Sequence, residues 1–244
     1  VFKEIDETTR YNQQKVLAAF IKNGVSESHL GISTGYGYGD RGRDTLEQVF
    51  ADCVGAEDSI IRHNFVSGTH ALTVMLFGVL RPNDTVLCLT GRPYDTLIGV
   101  LGVDSKTDGS LADFGIGFEQ VDLNSEGEPD TIEIEKRLKA KKYKAVYIQR
   151  SRGYSLRPSL TVKKIGELVD LVKGISPETI ILVDNCYGEF ADFREPLISR
   201  EKGVDILCGS LIKNPGGGLA PTGGYIVGTA ETVEGAACRL VAPG

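Results

Sequence analysis

Four short segments carry residue types whose spacing could do chemistry, and all four fall just after runs that read as β-strands. The first is Ser67-Gly68-Thr69-His70, which opens an apolar helical run. Free backbone N–H groups, two hydroxyls and the positive end of a helix dipole would make it a cradle for a phosphate or another anion; Ser67 or Thr69 serving only as a helix cap is the alternative. The second is Thr90-Gly91-Arg92-Pro93 followed by Tyr94, whose ring could stack on a planar ligand or simply pack, partly buried. The third is Asp184, which ends the apolar run 180–183. A carboxylate there is costly to desolvate without a cation or a strong hydrogen-bond donor, so something positive is expected beside it, whether a ligand, a salt bridge or a helix end. The fourth places Lys213 29 residues after Asp184, in Gly209-Ser210-Leu211-Ile212-Lys213-Asn214-Pro215 and then Gly216-Gly217-Gly218. A lysine held between a strand end and a glycine-rich loop is poorly solvated, and its amine can attack carbonyls; an ordinary surface lysine is the competing reading.

Together these features are the set that pyridoxal 5′-phosphate (PLP) requires: an anion cradle, an aromatic plate, a carboxylate that keeps the pyridine nitrogen protonated, and a Schiff-base lysine preceded by a phosphate-binding serine, Ser210. Two other motif matches are declined. Gly37, Gly39 and Gly42 satisfy G-x-G-x-x-G, but the preceding SESHLGIST is not the apolar strand that a dinucleotide site must follow. Gly31-Ile32-Ser33-Thr34-Gly35 satisfies G-x-S-x-G without the strand-to-helix elbow of a serine hydrolase. His29, His63 and His70 are the only histidines and there is no C-x-x-C, so no metal set is expected. His29 and His63 read as loop or surface residues.

The elements that must position this chemistry alternate along the chain. Helices are predicted over 8–22, with Val16, Leu17, Phe20 and Ile21 on one face, and over 43–54, with Leu46, Val49, Phe50 and Cys53 at helical spacing. Strands follow at 59–62, 86–89, 118–123, 145–149, 180–184, 206–208 and 225–227, interleaved with helices at 71–80, 94–101, 131–142 and 162–173. Strands such as IILVD and AVYIQ are apolar on both faces, which suits a sheet covered by helices on each side. The expected fold class is α/β, a mainly parallel doubly wound sheet with its ligand at the carboxyl ends of the strands. The 244 residues carry a formal charge of −6, which speaks against nucleic acid and anionic membrane as partners. The longest uncharged stretches, such as 71–80, fall short of the roughly 20 residues a bilayer crossing needs. Five scattered cysteines read as reduced thiols, and the opening VFKEIDETTRYNQQ has no cationic-apolar leader, so a cytoplasmic location is expected. Asn83-Asp84-Thr85 reads as a turn after Pro82 rather than a glycan site.

The order SGTHA, Tyr94, VDNCYGEF and SLIK resembles the fold-type I PLP enzymes of the cysteine/methionine-metabolism branch. Within that branch STGYGYGDRGRDTLEQVFA, RHNFVSGTHAL, LTGRPYDTL, YIQRSRGYSLRPS and LVDNCYGEFAD are similar to the aluminium-resistance or methionine gamma-lyase-like family, over essentially the whole chain. The resemblance implies a PLP-dependent lyase acting on a sulfur-containing or related amino acid by β or γ elimination; aldolase- or aminotransferase-type chemistry, or cofactor binding without turnover, are the alternatives. It implies Ser67, Gly68, Thr69 and Ser210 at the phosphate, Tyr94 on the ring, Asp184 on the pyridine nitrogen, and Lys213 as the covalent attachment point. It also implies that Tyr36 or Tyr38 reaches the phosphate of a neighbouring subunit, making a homodimer or homotetramer with shared sites. Residues 1–45 would then be an N-terminal helix and dimer-contact segment, and 46–244 the cofactor domain. The smaller C-terminal domain, which carries the arginine for the substrate carboxylate, is expected to lie beyond this sequence. Arg150 and Arg152 are further candidate anion contacts. Ile212 stands where the lyases have a hydroxyl residue, which removes one phosphate contact.

Overall fold

Strands buried on both faces organise the molecule, and the helices are whatever covers them. The computed structural model describes residues 1–105 and 107–243; Lys106 and Gly244, the last residue of the expected 46–244 unit, lie outside the described residues. In chain order the elements are α1 (Phe2–Lys22), α2 (Arg41–Val54), β1 (Asp58–Arg62), α3 (Gly68–Val79), β2 (Thr85–Cys88), α4 (Asp95–Leu101) and β3 (Gly117–Gln120). Then come α5 (Thr131–Ala140), β4 (Ala145–Gln149), α6 (Val162–Ile175), β5 (Ile180–Asp184), β6 (Ile206–Ser210), β7 (Gly224–Gly228) and α7 (Ala230–Leu240). The sheet order is β1-β7-β6-β5-β4-β2-β3. Neighbours from β6 through β3 run parallel, while β7 is antiparallel to both β6 and β1. The mainly parallel α/β sheet expected from the sequence is the one observed.

Because side chains alternate along a strand, each buried strand supplies two cores. Ile180 and Leu182 of β5, Ala145 and Tyr147 of β4, and Ile206 and Cys208 of β6 pack with Leu72 and Met75 of α3, Leu97 of α4 and Ala236 of α7. The intervening Ile181, Val183, Val146, Ile148 and Leu207 pack on the other face, with Phe50 of α2, Leu138 of α5 and Val169 of α6. Side-chain caps start the helices locally: Asp40, Ser67, Asp130 and Thr161 each accept a first-turn N–H.

Two helices depart from the sequence reading. α1 begins at Phe2 rather than at residue 8, since residues 2–7 are exposed helix formers with no buried face to reveal a period. α7 was not expected, because AETVEGAACRL carries a mid-helix glycine. That glycine serves close approach: a Cβ on Gly235 would lie 2.9 Å from the Gly78 carbonyl oxygen, and one on Gly78 would lie 2.8 Å from the Ala236 Cα. Asn83 sits in the left-handed region at φ 74°, in the expected turn.

Buried charge is concentrated at the two ends of the strands. At the amino end, fully buried Asp205 accepts from Lys173 Nζ (3.0 Å), the Ile181 N–H (2.8 Å) and Arg200 (2.8 Å), and Lys173 also donates to the Thr179 carbonyl (2.9 Å). At the carboxyl end, Arg150 is 2% exposed and donates to Asn185 (2.8 Å), Glu195 (3.1 Å) and Asp192 (2.6 Å). Its guanidinium is thus consumed by the protein's own carboxylates, which corrects its reading as an anion contact. Beside it, buried Glu189 accepts from the Tyr225 hydroxyl (2.8 Å), while its second oxygen has no partner among the described residues. Burial, then the neighbouring carboxylates of Glu195 and Asp184, push its carboxyl up to about 7, against a hydrogen bond from Tyr225 that lowers it.

Asp205→Ala strands the buried Lys173 ammonium and an orphaned strand N–H, so it should cost about 3–5 kcal/mol in urea unfolding; a loss under 1 kcal/mol would contradict the buried pair. Glu189 has the opposite sign from an ordinary ion-paired carboxylate. Its contribution is complete below its usual value of 4.5 and is lost as pH rises through about 7. Glu189→Gln should therefore match wild type near pH 5 and exceed it at pH 8 by on the order of 2–3 kcal/mol. Parallel pH profiles for the two proteins would refute the buried neutral carboxyl.

Candidate active site

The alternation that builds the cores also decides where the strand-end polar groups point. Asp184 follows Ile180 and Leu182 by parity, so its carboxyl lies on the α3 face of the sheet together with Tyr147 of the adjacent strand. It is 3% exposed, and accepts from the Tyr147 hydroxyl (3.3 Å, Oδ2) and the Cys186 N–H (3.0 Å, Oδ1). Desolvation raises its carboxyl above the ordinary value, while those hydrogen bonds and the nearby charge of Lys213 oppose the rise. The positive partner expected from the sequence is therefore not a salt-bridged cation: neutral donors of Tyr147 and Cys186 hold the carboxylate, with the Lys213 ammonium acting from further off. Tyr147 was not singled out in the sequence. Its signal is a phenol in a strand apolar on both faces, which needs a buried partner.

The start of α3 faces this carboxylate turn. Ser67 is the cap, its hydroxyl accepting the His70 N–H (3.1 Å). The N–H groups of Gly68 and Thr69 belong to the helix's first turn and have no intrahelical acceptor. A Cβ on Gly68 would lie 3.0 Å from Ser210 Cβ and 3.8 Å from Cys186 Sγ. The helix start, the end of β6 and the turn after β5 thus approach one another so closely at position 68 that any side chain there would press on Ser210. Thr69 bonds the hydroxyl of Thr96 (2.8 Å), tying this cradle to α4.

Lys213 stands just past β6, where its N–H donates to the Ser210 carbonyl (3.2 Å) and Asn214 Nδ2 donates to the Glu189 carbonyl (2.9 Å). The following 3-10 turn (Asn214–Gly216) closes so tightly that a Cβ on Gly216 would lie 1.8 Å from the Leu211 carbonyl oxygen. Lys213 is half-buried, less desolvated than the glycine-loop argument implied. Its Nζ donates to the Tyr187 hydroxyl and lies 3.8 Å from the centroid of that ring. Tyr94 is anchored by its N–H on Gln149 Oε1 (2.8 Å), and its ring stacks on Tyr154 with centroids 5.3 Å apart at 26°. Its hydroxyl donates to that of Tyr154 (3.0 Å), which together with burial and the other nearby phenols pushes the Tyr94 phenol up to about 12.

Gly68, Thr69, Ser210, Asp184, Lys213 and Tyr94 are therefore brought to one place, and Gln149, Tyr147, Tyr154 and Tyr187 join them. The last four were missed because each depends on contacts across strand ends that no local motif announces. Tyr36 and Tyr38 pack against each other (centroids 6.1 Å) on the glycine-rich arm, where Arg43 of α2 donates to the Tyr36 and Gly37 carbonyls. No strand leads into this arm: it follows a 3-10 turn (Glu27–His29), and Ser33 donates to Asp40 (2.6 Å). Arg152 is exposed on the loop after β4, and all five cysteines are free thiols.

The sequence profile of the methionine gamma-lyase family matches residues 1–244. The uncharacterized protein YnbB of Bacillus subtilis (strain 168) is 47% identical over 245 residues, covering 100% of this chain and 57% of YnbB. Among solved structures, a carbon-sulfur lyase involved in aluminium resistance from Clostridium novyi NT is 48% identical, with a TM-score of 0.93 over 100% of this chain and 57% of that one. The pyridoxal-5′-phosphate dependent protein YhfS of Escherichia coli shares the fold at 18% identity, with a TM-score of 0.68 over 94% of this chain and 57% of that one. This chain spans a little over half the length of the relatives it matches. A profile match along the entire sequence, on a sheet that carries its polar residues at the strand ends as the motifs required, leads to one assignment: the chain belongs to the methionine gamma-lyase family.

Proposed function

We propose that the protein is a PLP-dependent carbon-sulfur lyase acting on a sulfur-containing or related amino acid by β or γ elimination. The observation that carries this reading is the convergence of a buried carboxylate held by neutral donors (Asp184), a half-buried lysine (Lys213) and the start of α3, which Gly68 lets approach Ser210, all at the carboxyl end of one sheet. These residues fit the cofactor. Asp184 has no cation bonded to it among the described residues and can accept a donor, and the start of α3 offers N–H groups beside the Ser210 hydroxyl. The name of the Clostridium novyi relative supports carbon-sulfur chemistry for this family member.

PLP supplies, when bound, an electron sink for negative charge developing at the substrate Cα. The chain's residues do the rest. The Gly68 and Thr69 N–H groups and Ser210 Oγ hold the phosphate, helped by the helix dipole. Tyr94 presents its ring as the stacking plate, and Asp184 holds a proton on the pyridine nitrogen. Lys213 Nζ would hold the cofactor and, as the free amine, would take the proton from the substrate Cα. Ile212, 53% exposed, offers no hydroxyl to the phosphate, so the cradle rests on α3 and Ser210.

We further read residues 1–45 as a subunit-contact segment and 46–244 as the cofactor domain. Tyr36 and Tyr38 are 69% and 74% exposed, and α1 exposes Phe2, Ile5, Leu17 and Ile21, which suits a homodimer or homotetramer in which the arm reaches a neighbour's phosphate. The free thiols suit the cytoplasm, and among the described residues no helix is long and apolar enough to cross a membrane.

Borohydride reduction of the full-length protein with PLP should attach the cofactor to the Lys213 peptide by mass spectrometry, and Lys213→Ala should abolish this. Gly68→Ala should weaken PLP binding by at least about tenfold and cost on the order of 1–3 kcal/mol of stability, as its Cβ presses on Ser210 at the start of α3. An amino-acid panel assayed for keto acid, thiol and ammonia should show release from at least one thioether amino acid. Attachment elsewhere would refute the site, and a bound cofactor with no keto acid from any thioether substrate would favour binding without turnover.

A further inference from the structure

Tyr187 has no assigned role, and its backbone is costly. It lies in the turn that begins at Asp184, and holds φ 67°, a left-handed conformation that glycine adopts freely and an aromatic residue does not. Burial does not explain it, because the side chain is 61% exposed. Strain of this kind persists where the surroundings enforce it, and it concentrates at working sites. Here the strained backbone aims the ring at a single target. Lys213 Nζ donates to the Tyr187 hydroxyl and rests 3.8 Å from the ring centroid, so one side chain offers the amine both a hydrogen bond and a π face. A second left-handed residue, Phe190 at φ 58°, closes the same turn, whose Glu189 carbonyl receives Asn214 from the lysine loop. The two loops are thereby held in register.

We propose that Tyr187 is a positioning residue that docks the free amine of Lys213 at the strand ends. The inference rests on Lys213 being the cofactor's attachment point. Each time a substrate amine displaces it, the lysine is left as a free amine on a flexible four-carbon stem. An undocked amine would sample solvent; a docked one stays within reach of the substrate Cα and of its own point of reattachment.

The test is competitive labelling of the full chain with an amine-selective reagent, without added PLP, read by peptide mass spectrometry as the rate at Lys213 relative to exposed Lys142. Tyr187→Gly removes the ring and relieves the left-handed strain, so the variant should melt no lower than wild type while Lys213 labels about 3-fold faster. Tyr187→Phe keeps the π face and loses the hydroxyl, and should fall between the two. In turnover, both variants should lower kcat with KM little changed. Equal Lys213 labelling in all three proteins would overturn the proposal. Failure of the cofactor reading looks different: PLP would then leave Lys213 labelling unprotected in wild type, while the Tyr187 series would still show the graded increase that supports docking.

Discussion

The site depends on one constraint, the burial of a carboxylate at the end of an apolar strand. Asp184 is 3% exposed at the last position of β5, and its oxygens receive neutral donors, the Tyr147 phenol and the N–H and thiol of Cys186. Such a group is stable only where strong donors or positive charge can be brought to it. In a sheet covered on both faces, the carboxyl end is where helix starts and connecting loops meet. The same requirement that shields Asp184 from water therefore draws in the N-terminus of α3, the Tyr147 hydroxyl and the Lys213 amine. A carboxyl held by neutral donors keeps the capacity to accept a further proton donor, which an Arg or Lys salt bridge would have used up.

The two ends of the sheet treat buried charge differently. At the amino end Asp205 is enclosed by Lys173, Arg200 and a strand N–H, and it behaves as a structural staple. At the carboxyl end Arg150 is similarly saturated by Asn185, Glu195 and Asp192, yet Glu189 keeps an oxygen without a partner and Asp184 lacks a bonded cation. Full satisfaction gives rigidity; partial satisfaction leaves groups able to respond to a proton or a ligand. The carboxyl end also carries two left-handed non-glycine residues, Tyr187 and Phe190, in the turn that follows Asp184. Electrostatic deficit and backbone strain thus occur together on the side of the sheet where the chemistry is proposed.

The family's length relation gives this arrangement context. This chain spans a little over half of its relatives, and its seven-stranded sheet carries the polar residues argued above. These groups come from strand ends within one continuous sheet, so their geometry follows from strand register.

Much of this was legible in the sequence. Runs such as IILVD and AVYIQ state by composition alone that both faces are buried, and a polar residue ending such a run has to sit at a strand end. The cradle, Tyr94, Asp184 and Lys213 were readable for that reason, as was the rejection of the glycine-arm motifs, which lack a strand before them. Contacts across strands were not readable. Tyr147 bonds Asp184 because β4 and β5 run parallel in one particular register, α7 is a helix because Gly78 and Gly235 let it approach α3, and Arg150 turned out to be an internal cation because Asp192 and Glu195 fold back onto it. Local chemistry and period are properties of neighbours along the chain, so the sequence determined which residues could act and at which ends of the strands they stand. Partnership is a property of neighbours in space, and only the tertiary structure decided which donor meets which acceptor.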